Sequence, residues 1–251
     1  MDGYEPWTYG DAFADVYDEW YADEPSTEHA VATLAALAAA AGPGPVLELG
    51  VGTGRLAVPL AAAGFEVVGL DASPAMLDRL RARPGGDAVE AVLGDMTDPG
   101  AALDPPGRQF AVVVAACNTF FLLRSAAAQA ACLAAVARLL RPGGRFAVEA
   151  FVPAPATRVE HVLEPRRVEL DRVVLTVSRH EPMEQLVTGQ HIELSEAGIR
   201  LRPWVVRYAT PQQLDELATQ AGLRLVERWG GWDRGPFDAT SPVHVSVYGI
   251  Q

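Results

Sequence analysis

The chain has 251 residues, 49% hydrophobic and 21% charged, enough for a sizeable core and incompatible with wholesale disorder. Its 20 basic residues are all Arg and face 32 acidic ones, for a net charge of −12, so nucleic acid and anionic membranes are poor partners and a Schiff-base or phosphate-loop lysine is excluded. Two cysteines, Cys117 and Cys132, cannot build a disulfide framework or a Cys-rich zinc site; no metal is expected, and a reducing cytoplasm is the expected compartment.

The first residues are acidic and aromatic, with neither the basic nor the apolar region of a signal peptide. Phe13, Tyr17, Trp20 and Tyr21 are spaced as one face of a helix. A second helix is predicted over Thr27–Ala41, ending at Gly42-Pro43-Gly44-Pro45. A strand follows at Val46–Leu49, then a Gly-rich turn and a helix over Arg55–Ala63 closed by Gly64. Phe65–Leu70 is the second strand, and Ser73-Pro74 opens a helix to about Arg83. Ala88–Leu93 and Phe110–Ala116 are strands, Ser125–Leu140 is a helix stopped by Arg141-Pro142-Gly143-Gly144, and Arg145–Phe151 is a fifth strand. Short apolar strands alternating with helices specify a parallel sheet covered on both faces. No apolar stretch is long enough to span a membrane.

Beyond Pro153 the pattern changes. Val173–Val177, Thr188–Leu194 and Val205–Tyr208 read as antiparallel strands, with a turn at Glu196-Ala197-Gly198. Thr210-Pro211-Gln212-Gln213 carries the signals of a capped helix start, running to Gly222. Leu223–Trp229 and Val243–Tyr248 are the final strands.

Glu48-Leu49-Gly50-Val51-Gly52-Thr53-Gly54-Arg55 ends the first strand and opens a helix. Glycines there permit a tight turn and close approach of backbone to a ligand, and the helix start offers free N–H groups. The spacing is G-x-G-x-G, not the G-x-G-x-x-G of a dinucleotide site, and the acidic residue beside it suits an ammonium or sulfonium better than a pyrophosphate. A plain strand-to-helix turn would also carry such glycines. Asp71, closing the second strand, can accept both hydroxyls of a ribose or cap the next helix. In Gly94-Asp95-Met96, Asp95 can accept an adenine amine and Met96 can pack on the ring; otherwise the segment is a polar turn.

Taken with Gly69-Leu70-Asp71-Ala72-Ser73, Leu93-Gly94-Asp95-Met96 and Leu140-Arg141-Pro142-Gly143-Gly144-Arg145, the loop resembles the class I S-adenosylmethionine-dependent methyltransferases over residues 10–152 or so. The resemblance implies an α/β fold: a Rossmann-like, doubly wound seven-stranded sheet with an antiparallel last strand, an N-terminal helical lid and an antiparallel β insert. It implies one domain, divided into a lid (1–42), a cofactor-binding core (43–152), the insert (153–209) and a C-terminal helix with the final strand pair (210–251). S-adenosylmethionine is the implied cofactor. Gly50, Gly52, Gly54 and Arg55 would flank its methionine portion, Glu48 its amine, Asp71 and Ala72 its ribose, and Asp95 and Met96 its adenine. Ala116, Cys117 and Asn118 would lie where sulfonium and acceptor meet, and Tyr17 and Tyr21 look like lid residues closing over the cofactor.

The chain plan is similar to bacterial small-molecule methyltransferases of secondary metabolism, including aminosugar N-methyltransferases. A small organic acceptor, methylated on N, O or C, is the implied partner. A neutral amine needs no base, whereas a hydroxyl or acidic carbon calls for one. His180 and His191 in the insert and Asn118 after the fourth strand are the catalytic candidates; His244 and Glu149 are further polar groups, and Glu149 could instead pair with an Arg. Trp7, Tyr9, Phe120, Phe121, Trp204, Trp229 and Trp232 either flank an apolar or aromatic acceptor or serve ordinary packing. The segment Asn118–Leu123 holds no His, and an aromatic heterocycle stays open as acceptor. The alternative is a protein that binds S-adenosylmethionine without methyl transfer, as a cyclase or regulator. The exposed edge of the insert suits a homodimer.

Overall fold

In the computed structural model the apolar runs assemble into one seven-stranded sheet, and the structure describes residues 1–21 and 26–251. Strands β1 (Val46–Leu49), β2 (Val67–Asp71), β3 (Val89–Leu93), β4 (Phe110–Ala115) and β5 (Leu140–Phe151) run parallel. With β10 (Leu223–Trp229) and β11 (Val243–Ile250) the order is β10-β11-β5-β4-β1-β2-β3, and β11 lies antiparallel to both of its neighbours. The order reverses between β1 and β4, and a crevice opens beyond the carboxyl ends of strands at such a point.

β1 and β4 are buried along their whole length, which is why they read as continuous apolar runs. Their side chains alternate between two cores. Leu47, Leu49 and Val113 pack with Cys132, Leu133 and Leu214 of α6 (Ala126–Leu139) and α7 (Pro211–Gln220). Val46, Val112 and Val114 pack with Leu34, Leu56, Leu60 and Leu77, which belong to α3 (Thr27–Ala41), α4 (Ala57–Ala62), α5 (Pro74–Ala82) and the turn before α4. The predicted caps form: Ser73 Oγ accepts the Met76 N–H at the start of α5, and Thr210 and Gln213 make a reciprocal capping box on α7.

Two expectations need correction. The aromatic N-terminal face is not one helix but two short ones, α1 (Thr8–Phe13) and α2 (Tyr17–Trp20). The chain between them carries Asp15, whose carboxylate is drawn out to Arg200 and Arg202. The insert has four strands rather than three: β6 (Glu160–Val168), β7 (Arg172–Glu181), β8 (Leu186–Ser195) and β9 (Gly198–Arg207) form an antiparallel meander. β6 is an edge strand, exposed at every position but Arg167, so it lacks the apolar alternation that would announce it.

The two N-terminal helices form a strap over the carboxyl ends of the sheet, fastened on both sides. On the core side, Asp11 accepts from Ser73 Oγ at 2.6 Å, and Gly10 lies so close that a Cβ there would sit 2.3 Å from Ser73 Cβ. On the insert side, buried Arg202 bridges Asp15 (2.6 Å) and Glu193 (3.2 Å), and Arg167 and Arg172 reach Glu19. Despite the opposing cost of its own desolvation, the Arg202 and Arg200 guanidinium groups hold the Asp15 carboxyl below its ordinary range.

Candidate active site

A cavity of about 1100 Å³ lies between the strand ends, the strap and the inner face of the insert. Single small-ligand sites run to roughly 300–1,000 Å³, so this one has room for a nucleoside cofactor and an acceptor together.

Behind the part of the wall that Gly50 and Gly52 line, β1 delivers Glu48, which is buried and does not itself line the cavity. Desolvation, against the opposing charge of Arg55, pushes its carboxyl up to about 8, and its Oε2 is buried without a hydrogen-bond partner. The glycines after it have different reasons to be glycine. Gly52 (φ +54°) faces open space, with Met76 Sδ 4.0 Å from a would-be Cβ, so its backbone forms a cradle. A Cβ at Gly50 would meet Thr119 at 2.4 Å; one at Gly54 would meet Leu80 at 2.3 Å. Gly54 does not line the cavity, and close packing on α5 is reason enough for a glycine there. Arg55 lines the cavity and donates to Thr27 Oγ1 (2.7 Å) and Cys117 Sγ (2.5 Å).

Asp71 ends β2 and lines the cavity with Ala72. Its two oxygens accept the N–H groups of Gly52 (2.8 Å) and Ser73 (2.9 Å), and burial raises its pKa. The carboxylate thus fixes the Gly-rich turn and also meets the loop before α5, so the two readings of this residue are not exclusive. Asp95, Met96, Gly94 and Thr97 line the cavity beyond β3. Leu70, from the motif around Asp71, joins the wall, as does Met76, which no motif marked.

At the end of β4, Cys117 (φ +50°) and Asn118 (φ +63°) are consecutive left-handed residues, unusual for side chains with a Cβ. The bend turns the Cys117 N–H onto Glu149 Oε2 (2.8 Å) and the Asn118 N–H onto the Glu149 carbonyl (3.1 Å), while Asn118 Oδ1 accepts from the Phe151 N–H (2.7 Å). Cys117, Asn118 and Glu149 all face the cavity; Ala116 is buried behind them. Glu149 forms no ion pair among the described residues, so the alternative of an Arg partner is not what is seen.

The strap contributes Tyr9, Tyr17 and Tyr21, with Tyr17 and Tyr21 at 4.7 Å centroid separation. Burial raises the phenols of Tyr9 and Tyr17, so both stay protonated at neutral pH. From the insert, His191 lines the cavity, its Nδ1 3.1 Å from Thr176 Oγ1 and its ring edge-on to Phe13 and Trp20. Burial, with the charges of Arg166 and Arg202, lowers it to about 4, leaving a neutral imidazole. His180 does not line the cavity, and its Nε2 is 2.8 Å from the Tyr208 hydroxyl. His244 is buried against Ser246 and lowered to about 4 by burial. Of the aromatic residues, Tyr9 and Trp204 reach the cavity, while Phe120, Phe121, Trp229 and Trp232 belong to the cores. Among the described residues no three acidic, His or Cys side chains could hold a metal ion, and no helix is long and apolar enough to cross a membrane.

The residues fit S-adenosylmethionine. A carboxylate oxygen of Glu48 is buried without a partner behind the glycine turn, a cradle lies open at Gly52, and a carboxylate closes β2 at Asp71. Comparisons with known proteins agree. Residues 46–144 match a family profile described as a methyltransferase domain. A cypemycin N-terminal methyltransferase from a Streptomyces species is 31% identical over 78% of this chain and 79% of that protein. The structure of the CcbJ methyltransferase from Streptomyces caelestis is 44% identical, with a TM-score of 0.88 over 98% of this chain and 99% of that one. S-adenosylmethionine-bound CalS10, an amino pentose methyltransferase of Micromonospora echinaspora involved in calicheamicin biosynthesis, is 26% identical, with a TM-score of 0.67 over 94% of this chain and 97% of that one. With this fold and these matches, the chain belongs to the S-adenosylmethionine-dependent methyltransferases and is an enzyme of methyl transfer.

Proposed function

We propose that this enzyme N-methylates a small amine of natural-product type, with Glu149 as the group that orients the amine and takes its proton. The observation that carries the reading is the Glu149 carboxylate: the residue lines the cavity, Oε2 is fixed by the Cys117 N–H, and Oε1 has no hydrogen-bond partner among the described residues. The relatives named above as N-terminal and amino pentose methyltransferases support an amine acceptor.

When bound, the cofactor supplies a methyl group already activated by its sulfonium. Glu48, and Arg55 beside it, would hold the ammonium and carboxylate of the methionine portion. Asp71 with Ala72 would hold the ribose, Asp95 and Met96 the adenine, and Gly50 and Gly52 the turn beneath; Gly54, Ala116 and Cys117 support this from behind or beside. The strap tyrosines Tyr17 and Tyr21 exclude water, and Tyr17 stays uncharged. Glu149 Oε1 accepts the proton of the incoming amine, leaving its lone pair for the methyl carbon, and passes that proton to solvent. His191, neutral, and Asn118 position the acceptor; His180 braces the insert through Tyr208.

The whole chain, 1–251, is read as one domain with the boundaries given above. Small molecules rather than nucleic acid fit its −12 charge, and the cytoplasm is the compartment that suits a chain with only two cysteines. A homodimer through the outer face of the insert is favoured by exposed Leu163, Ile199 and Leu201 there. The test is calorimetric titration with S-adenosylhomocysteine, then incubation with S-adenosylmethionine and panels of amines, phenols and indoles, read by mass gain of one methylene. Binding and conversion confined to amines are expected; conversion of phenols or indoles alone would overturn the amine assignment.

A further inference from the structure

Two arginines on the cavity wall are spent on nothing the methyl transfer uses. Arg124 sits between the short turn Thr119–Leu122 and α6, and Arg166 lies on β6 of the insert, so they reach the same cavity from the core and from its cover. Neither makes an ion pair or a hydrogen bond among the described residues, whereas Arg202 and Arg228 each hold carboxylates at 2.6 Å. Both instead sit over aromatic rings: the Arg124 guanidinium carbon is 5.1 Å from the Tyr4 ring centroid, and that of Arg166 is 5.2 Å from Trp20 and 5.6 Å from Tyr21. A cation–π contact does not use the N–H groups, and a guanidinium fork left available can grip carboxylate or phosphate bidentately. Ser125, the N-cap of the 14-residue helix α6, and Ala128 in its first turn border the cavity and add the positive end of that helix.

The cofactor's own anion is accounted for elsewhere. Its methionine end belongs with Glu48, Gly52 and Arg55, at the strand ends of the core. The other carboxylates on the wall that are not assigned to the cofactor are Glu149, at the methyl-transfer end, and Glu164, two residues before Arg166. We propose that Arg124 and Arg166 form an anion subsite for the acceptor, so that the enzyme methylates amines that also carry a carboxylate or a phosphate. The inference rests on the amine reading above and deepens it. An acceptor of this kind bridges Glu149 at its nitrogen and the two guanidinium forks at its acid group. In a chain of net charge −12, two unspent cations are also what would draw such a molecule into an otherwise acidic enzyme.

The test uses full-length enzyme, first titrated with S-adenosylhomocysteine; failure there would sink the cofactor site and is seen before any anion is added. The saturated enzyme is then titrated with inorganic phosphate and, separately, acetate at constant ionic strength, following the arginine Nε–H resonances of nitrogen-labelled protein. Saturable shifts are expected at two resonances that disappear in Arg124→Gln and Arg166→Gln. The doubly substituted enzyme should bind the anion at least tenfold more weakly while keeping its melting temperature, since both side chains are exposed. Saturation by phosphate alone assigns a phosphate-bearing acceptor, and saturation by acetate alone a carboxylate-bearing one. No saturable shift with either anion, or undiminished affinity in the double variant, would overturn the proposal.

Discussion

Asp18 of the strap accepts a 2.6 Å hydrogen bond from the hydroxyl of Thr53, inside the glycine turn that floors the cofactor end of the cavity. Cover and floor are therefore one connected unit, which Arg83 reinforces by reaching both residues. Asp18→Ala removes that tie. A hydrogen bond to a charged group is worth about 1.5–3 kcal/mol when well buried, and Asp18 is half exposed. The expected result is the low end, a three- to tenfold faster release of S-adenosylhomocysteine, measured by stopped-flow fluorescence; an unchanged rate would show that the strap closes without this contact.

Glu48 makes the cofactor-free enzyme sensitive to alkali. Its carboxyl titrates near 4.5 when unfolded and near 8 in its buried place. A raised pKa stabilises the fold fully below the unfolded value, and that stability is lost as pH rises through the folded value. The melting temperature should therefore fall between pH 5 and 8, and Glu48→Gln should flatten that slope. An ammonium arriving beside Glu48 favours its ionised form, so binding near neutral pH should release about one proton. Calorimetry in buffers of different ionisation enthalpy reads this directly.

Glu149→Gln keeps an oxygen for the Cys117 N–H but cannot take a proton. General-base contributions run to about 10²–10⁴-fold, so kcat should drop by at least a hundredfold, with a much smaller change in the KM for S-adenosylmethionine. Retention of wild-type kcat at pH 7 would remove Glu149 from the proton path.

How much of this was readable beforehand depends on which physical signal a feature carries. β1, β4 and the glycine turn are legible because burial on both faces leaves continuous apolar runs, and because backbone turns demand glycine. β6 is nearly all exposed and shows no alternation. The break between α1 and α2 depends on Asp15 meeting Arg202, nearly 190 residues away in the chain. His180 and His191 both lie on the inner face of the insert by strand parity, and only distance along the sheet separates a wall residue from a bracing one. Gly54 and Gly52 look alike in the motif, yet one answers to Leu80 and the other to the cavity.

Gly54→Ala exploits that distinction. With φ +83° and Leu80 in the way of a Cβ, overpacking should cost about 1–3 kcal/mol, read as a lower denaturant midpoint. The protein that remains folded should bind S-adenosylhomocysteine with an affinity close to the parent's; a large loss of affinity without loss of stability would return Gly54 to the ligand site.

Arg202→Met leaves Asp15 and Glu193 without their shared cation. Arg202 is 1% exposed, and breaking a buried pair costs about 3–5 kcal/mol. Partial exposure of both carboxylates should hold the loss near the lower figure, measured by chemical denaturation. Strap and insert should also come apart, seen as faster backbone hydrogen exchange across residues 8–20 and 198–207.

The strap held on both flanks also sets a sequence in time. A nucleoside lying under it cannot come and go while Ser73, Thr53 and Arg202 all keep their grip on the strap. The expected order is cofactor first and its demethylated remnant last, with the acceptor and its methylated form exchanging in between, an order that product-inhibition kinetics checks. Turnover is then paced by the unfastening of a hinge rather than by bond-making, and an enzyme of this kind is slowed most by its own spent cofactor.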